Sequence, residues 1–294
     1  MTMLYYLGPD MPHDLFAAAG GASLPGWNID RAMPVADRWL ESKFALWARS
    51  VVQDWADGAF DHADAMVFSR ADDTAQRLYY YLCEMRRLGE VKGPEPLILD
   101  IAKAARTASQ ERTAAALRAL QARLGVSDAA LEAGIAATNA RREGVPAAPV
   151  QGRTCLLAGS PAPDGRLRAI ASAAGWQAAG ATLAEMWEAP GAPVAANTGD
   201  PAAAIAAQLH ASPAGPRGFY DRGAALLADV ARHRAAAAIL WFAEEEEALG
   251  WHLPAQIRAL SEAGVPHLVL TRRDWRAGDG VADEISTFLK GVAA

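Results

Sequence analysis

Cysteine is nearly missing from this 294-residue sequence; Cys83 and Cys155 are the whole complement. Two thiols cannot staple a disulfide scaffold, so the chain must be held by an ordinary core, with its thiols expected reduced. Long apolar runs are missing too: none approaches the roughly 18 residues that a bilayer-spanning helix needs. The start, MTMLYYLGPDMPHDL, has no basic leader before an apolar stretch, and the expected location is the cytoplasm. Positive charge is in deficit, 28 lysines and arginines against 34 acids for a net −6, which argues against a nucleic-acid surface. GxGxxG, GxxxxGK[ST] and GxSxG do not occur, which removes the usual dinucleotide, nucleoside-triphosphate and serine-hydrolase readings. The histidines (His13, His62, His210, His233, His252 and His267) stand at no metal-ligand spacing, which argues against zinc.

What is present is an α/β pattern. Ala65 to Phe68 is an apolar run of strand length, followed by the polar cluster Ser69-Arg70-Ala71-Asp72-Asp73-Thr74. Leu78, Leu82 and Met85 recur at helical spacing, Gly89 closes the helix, and Leu97-Ile98-Leu99 returns as a strand. Strand, crossover helix and strand of this length form a right-handed parallel βαβ unit. The unit recurs as Ala237 to Phe242, the polar turn from Ala243 to Glu247, a helix to about Gly264, and the strand His267 to Leu270. An earlier unit recurs as well: Leu4 to Pro9 with a helix closing at Gly20 matches Cys155 to Pro161 with a helix closing at Gly175. The expected fold is two similar doubly wound parallel-sheet domains, Rossmann- or flavodoxin-like, joined by a helical segment. Their boundaries fall at 1–148 and 149–294.

Between these units the sequence predicts one helix from Pro34 to about Asp57, and a helical arm over about 101–143. Ser109 and Thr113 open one helix of that arm, and Ser127-Asp128 cap another. Gly144 to Gly152 is the linker candidate. Residues 186–200 read as a loop with one short strand, Pro201 to Leu209 as a helix, and Ser212 to Gly218 as a Pro/Gly loop. Asp221 caps a further helix, and Ile285 to Leu289 forms a short closing one.

Several residues carry two readings. Ser69 and Arg70 follow a strand end, where an arginine suits an anion such as a carboxylate or phosphate, or else forms a surface ion pair with Asp72 or Asp73. Asp72, Asp73 and Thr74 either point into the crevice or cap the next helix. Glu244 to Glu247 are an acidic metal patch or a solvated helix start. The tyrosines Tyr79, Tyr80 and Tyr81 face different sides of their helix, so Tyr80 is a ligand candidate while packing is the default for the rest. Arg222, beside the capping Asp221, is a further anion candidate.

Taken together, VFSRADDTAQRLYYYL, PLILD, Asn139 with Arg141-Arg142, CLLAGSP and AILWFAEEEEALGWHLPAQIRALSEAGVPHLVL resemble the 2-hydroxyacyl-CoA dehydratase and benzoyl-CoA reductase subunit family. The resemblance covers most of the chain in order. It implies a pair of related subunits acting on an acyl-CoA thioester, an ATP-dependent activator that delivers an electron, and a [4Fe-4S] cluster held by three separated cysteines. The family's cysteine positions fall near Phe44-Ala45, Ala71-Asp72 and Ala243-Glu244, and none of these is cysteine. Thiolate or imidazole must ligate cluster iron, so this chain is expected to bind no cluster of its own.

Two functions follow as expectations. In one, the chain is a dehydratase- or reductase-type subunit beside a homologous cluster-bearing subunit. In the other, it is a stand-alone small-molecule or acyl-CoA binding protein, as a homodimer or alone, or a structural subunit without catalysis. Acid–base chemistry by Asp72, Asp73 or Glu244 is a third reading. The substrate-binding candidates are Ser69, Arg70, Asp72, Asp73, Tyr80, Glu244 and Arg222; no metal ligands, nucleic acid or membrane are expected.

Overall fold

Glycine, proline and short polar side chains set the element ends in the computed structural model, which describes residues 3–143, 152–213 and 220–293. The expected linker lies almost wholly outside those residues, as does most of the loop from Ser212 to Gly218. The first half runs β1 (Leu4–Leu7), α1 (His13–Ala18), α2 (Pro34–Trp39), α3 (Leu46–Ala56), β2 (Ala65–Ser69), α4 (Asp73–Arg87), β3 (Glu95–Leu99), α5 (Thr107–Arg123) and α6 (Asp128–Glu143). The second runs β4 (Thr154–Gly159), α7 (Arg166–Ala173), β5 (Gln177–Ala179), α8 (Leu183–Glu188), α9 (Pro201–Ala211), α10 (Arg222–Arg232), β6 (Ala237–Ala243), α11 (Glu247–Gly250), α12 (Leu253–Glu262), β7 (His267–Arg273) and α13 (Val281–Ala293).

The strands form two parallel sheets, ordered β1-β2-β3 and β5-β4-β6-β7. Every pairing is parallel, as the crossover helices require. With β1, β2 and β3 set beside β4, β6 and β7, the order is the same. An isolated parallel bridge from Tyr5 to Ser23 occupies, beside β1, the place that β5 takes beside β4. The paired glycines behave alike: Gly8 and Gly159 end the first strand of each set with φ of 107° and 98°. A Cβ at Gly8 would stand 2.6 Å from the Ser69 Cβ, and one at Gly159 would stand 2.2 Å from the Trp241 carbonyl oxygen. Both sites need glycine for conformation and for space.

Packing divides the chain into two units, Met1–Pro146 with Trp187–Phe219, and Ala147–Met186 with Tyr220–Ala294. This division is discontinuous. A single boundary at 148/149 would give residues 187–219 to the second domain, but α9 packs on α5 and α6 of the first unit. In the first unit β2 is buried along its length, and Leu78, Leu82 and Met85 of α4 are buried at helical spacing. In the second unit Leu240 and Phe242 of β6 join Leu226, Val230 and Leu260 from α10 and α12. The alternation of the strand turns Trp241 the other way, edge-on to Trp275 with ring centroids 5.6 Å apart.

Four expectations change. The single helix from Pro34 to Asp57 is two helices, α2 and α3. Arg49 lies back over the break, its Nη2 donating to the Glu41 carbonyl at 2.5 Å and its Nη1 reaching Asp37 at 2.8 Å. Carbonyls freed by the break are thus satisfied by a side chain. The short strand expected within 186–200 does not form; the edge strand is β5, whose Gln-Ala-Ala has no apolar alternation to announce it. The helix before β7 is interrupted between α11 and α12, and α13 is longer than expected.

Candidate functional site

Open parallel sheets take ligands at the carboxyl ends of their strands, where connections diverge. In the first unit those ends carry Gly8 to Asp10, Ser69 to Asp73, and Asp100 to Lys103. Ser69 is fully buried, and its Oγ accepts from the Ala71 amide at 3.1 Å, so it shapes the turn. The Arg70 amide extends the ladder to the Leu99 carbonyl. Its guanidinium is 2.9 Å from Asp100, which Arg112 also grips at 2.5 Å and 2.9 Å. Two guanidiniums, the type of donor group that can also meet an anion, thus converge on one half-exposed carboxylate. Asp72 is the cap of α4, its Oδ1 accepting from the Ala75 amide at 2.8 Å. Asp73 opens the helix beside it, where the dipole favours an acid. Tyr80 lies two turns along α4, 56% exposed, with its ring edge-on to Tyr79.

Beneath this rim lies a layer of buried charge that sequence reasoning missed. Asp10, in the left-handed region at φ 57°, has its Oδ2 2.8 Å from Lys103 Nζ, and both side chains are almost wholly buried. Lys103 also donates to the carbonyls of Leu209 at 2.6 Å and Ser212 at 3.0 Å. Burial pushes the Asp10 carboxyl up, against the pull of Lys103. Asp14 and Arg142 form a second buried pair, bidentate at 2.7 Å and 2.9 Å, and Arg142 also donates to the Pro190 carbonyl. Asn139 exchanges two hydrogen bonds with the backbone of Val194. His13 Nε2 meets the Trp187 carbonyl at 3.1 Å, and burial lowers its pKa to about 4, so the ring is neutral near pH 7. Tyr6, edge-on to His13, has its phenol pKa raised by burial. The segment from Trp187 to Ser212 is therefore a strap laced onto the first sheet's carboxyl side. Its polar contacts join residues from 48 to 174 positions apart, so spacing in the sequence carried no sign of them. The one local signal was Asn139 with Arg141-Arg142.

In the second unit Ser160 ties two strand ends together: its amide donates to the Trp241 carbonyl at 2.7 Å and its Oγ accepts from the Ala243 amide at 3.1 Å. Glu244 is exposed, 3.6 Å from Arg272. The inward acid is Glu245, which accepts from Trp275 Nε1 at 2.7 Å; burial raises its pKa, and Glu244 and Asp274 add to the effect. Arg222 opens α10 with its guanidinium 4.6 Å over the Tyr220 ring and Nη1 donating to the Tyr220 hydroxyl. The structure thus gathers Ser69, Arg70, Asp72 and Asp73 at one strand end of the first unit. Glu244 and Arg222 belong to the second.

An iron–sulfur cluster does not fit these residues. Cys155 is fully buried within β4, with its thiol pushed up to about 11 by burial, and Cys83 lies on α4 of the other unit. Phe44, Ala45, Ala71 and Ala243 are all buried and offer no ligand atom. Among the described residues no three His, Cys, Asp or Glu side chains gather as a metal site, and no helix is long and apolar enough to cross a membrane. Comparison with known proteins finds no matching family model and no curated protein of significant similarity.

Proposed function

We propose that this chain is a cluster-less relative of the 2-hydroxyacyl-CoA dehydratase and benzoyl-CoA reductase subunits, built of two doubly wound domains. It acts beside a homologous cluster-bearing subunit on an acyl-CoA thioester, with an ATP-dependent activator serving the complex. The observation that carries this reading is the repeated strand order, with Ala71 and Ala243 buried at the matching strand ends. Those are the places where the resemblance puts cysteine. The chain then contributes binding surface, and electron transfer belongs to its partner. Anaerobic reconstitution with iron and sulfide tests this: the chain alone stays colourless, and coexpression with a cysteine-rich homologue yields a coloured complex. A chain that binds its own cluster, or that never joins such a homologue, refutes the reading.

The Arg70–Asp100–Arg112 cluster favours a second reading, a stand-alone acyl-CoA binder, because both arginines come from this one chain. The anionic phosphates of the CoA moiety would meet it, with Asp72, Asp73 and Tyr80 along the same helix. Calorimetric titration of the isolated chain with a short acyl-CoA separates the two. Binding without a partner, weakened by Arg70→Ala, supports the second; binding only in the complex supports the first.

A further inference from the structure

The edge of a sheet carries unpaired backbone groups, and natural proteins usually blunt it. The two open sheets have four edges, β1 and β3 in one, β5 and β7 in the other. Ser23 lies along β1, its amide donating to the Leu4 carbonyl at 2.9 Å and its carbonyl accepting from the Tyr6 amide at 3.1 Å. On β3 the Glu95 amide and the Leu99 carbonyl turn inward, to Asp64 and Arg70. Pro96 therefore stands on the outer side, where it brings no N–H. The third edge, β5, is only Gln177–Ala179. β7 has none of these protections. The Ala238 amide donates to the Pro266 carbonyl, so the parallel ladder directs the backbone of Leu268 and Leu270 toward β6 and that of His267, Val269 and Thr271 outward. Among the described residues, no hydrogen bond takes up the amide or the carbonyl of any of those three. The stretch from His267 to Thr271 holds no acid, lysine or arginine, and only Leu270 within it is fully buried.

We propose that β7 pairs with β7 of a second copy, antiparallel about a two-fold axis at Val269. An isologous contact sets residue i against j and j against i. Centred on Val269, it sets Val269 against Val269 and His267 against Thr271, so every outward amide meets an outward carbonyl. The flanking residues fix that register. A shift by two residues one way sets Thr271 against Val265, whose amide is already bonded to the Leu260 carbonyl. A shift the other way sets His267 against Arg273, whose carbonyl already accepts from the Glu244 amide. Arg272, at φ 56°, turns the chain out of the row, and the arginines of the two copies lie at opposite ends of the seam, so like charges stay apart. The occupant is a second copy because β7 is the one long unblunted edge among the described residues, and it is complementary to itself. Pairing two of them joins the four-stranded sheets into one of eight and leaves only blunted edges outside, so assembly stops at two. This inference does not rest on the acyl-CoA reading.

Sedimentation equilibrium on the full chain, over a series reaching sub-millimolar concentration, tests it together with residue-resolved amide exchange at both ends of that series. The expected result is a reversible monomer–dimer equilibrium. The amides of His267, Val269 and Thr271 exchange roughly tenfold more slowly in the dimer, whereas those of Leu268 and Leu270, held by β6, are slow at every concentration. Thr271→Pro removes one outward amide from each copy and no bond to β6, and weakens the dimer roughly tenfold or more. Thr271→Ser keeps the backbone donor and dimerises as the unaltered chain does. Circular dichroism checks that both variants are folded, and the exchange pattern of the unaltered chain decides the matter even where Thr271→Pro does not fold. A chain that stays monomeric at every concentration overturns the proposal. So does a dimer whose three outward amides exchange as fast as in the monomer, or one indifferent to a folded Thr271→Pro.

Discussion

His13 is a buried side chain whose titration contributes to the acid sensitivity of the fold. Its folded pKa, about 4, lies below the usual 6.5 because burial disfavours the imidazolium. A depressed folded pKa means stability that is present above 6.5 and lost as pH falls toward 4. Urea unfolding across that window is expected to lose at most about 3 kcal/mol from this group, and His13→Gln flattens the slope. Asp10 has the opposite sign: its folded pKa is raised, so its contribution is complete below the unfolded carboxylate range and lost as pH rises through the folded value. Arg142 is a sharper case. Arg142→Met leaves Asp14 buried without its bidentate partner, and about 3–5 kcal/mol should be lost in the same urea assay. Gly159→Ala brings a Cβ against the Trp241 carbonyl at a left-handed φ, and a clear fall in thermal midpoint is expected.

At the scale of elements, side chains reach across backbone gaps and hold them. Arg49 closes the break between α2 and α3, and Asn139 pairs with Val194 as a strand neighbour would. Asn139→Ala removes both hydrogen bonds of that pair. Its expected effect is roughly 1–3 kcal/mol, with faster amide exchange at Val194 and little change within β2. The strap and α6 would thus loosen locally before the sheet does. Exchange that rose equally throughout the first unit would contradict this order.

Across the whole molecule, the discontinuous first unit has a consequence for truncation. A chain of residues 1–148 contains β1 to α6, yet lacks the carbonyls of Trp187, Pro190, Leu209 and Ser212 and the packing of α9. His13, Arg142 and Lys103 would lose buried acceptors together. The expected result is a chain without a sharp cooperative transition in circular dichroism, whereas the full chain unfolds cooperatively. A well-folded 1–148 would show that the strap adds little.

The local rules were enough for much of this. Apolar runs, Asp72, Ser127 and Asp221 as caps, and Gly8, Gly89 and Gly175 as stops placed most strands and helices, since those signals act within a few residues. The repeated βαβ units also announced two parallel sheets. Tertiary structure alone decided that residues 187–213 return to the first unit, and that Asp10 meets Lys103 and Asp14 meets Arg142. It alone turned Glu245 inward rather than Glu244. Those outcomes depend on contacts between residues far apart in the chain, and a buried charge chooses its partner only once desolvation makes the pairing necessary.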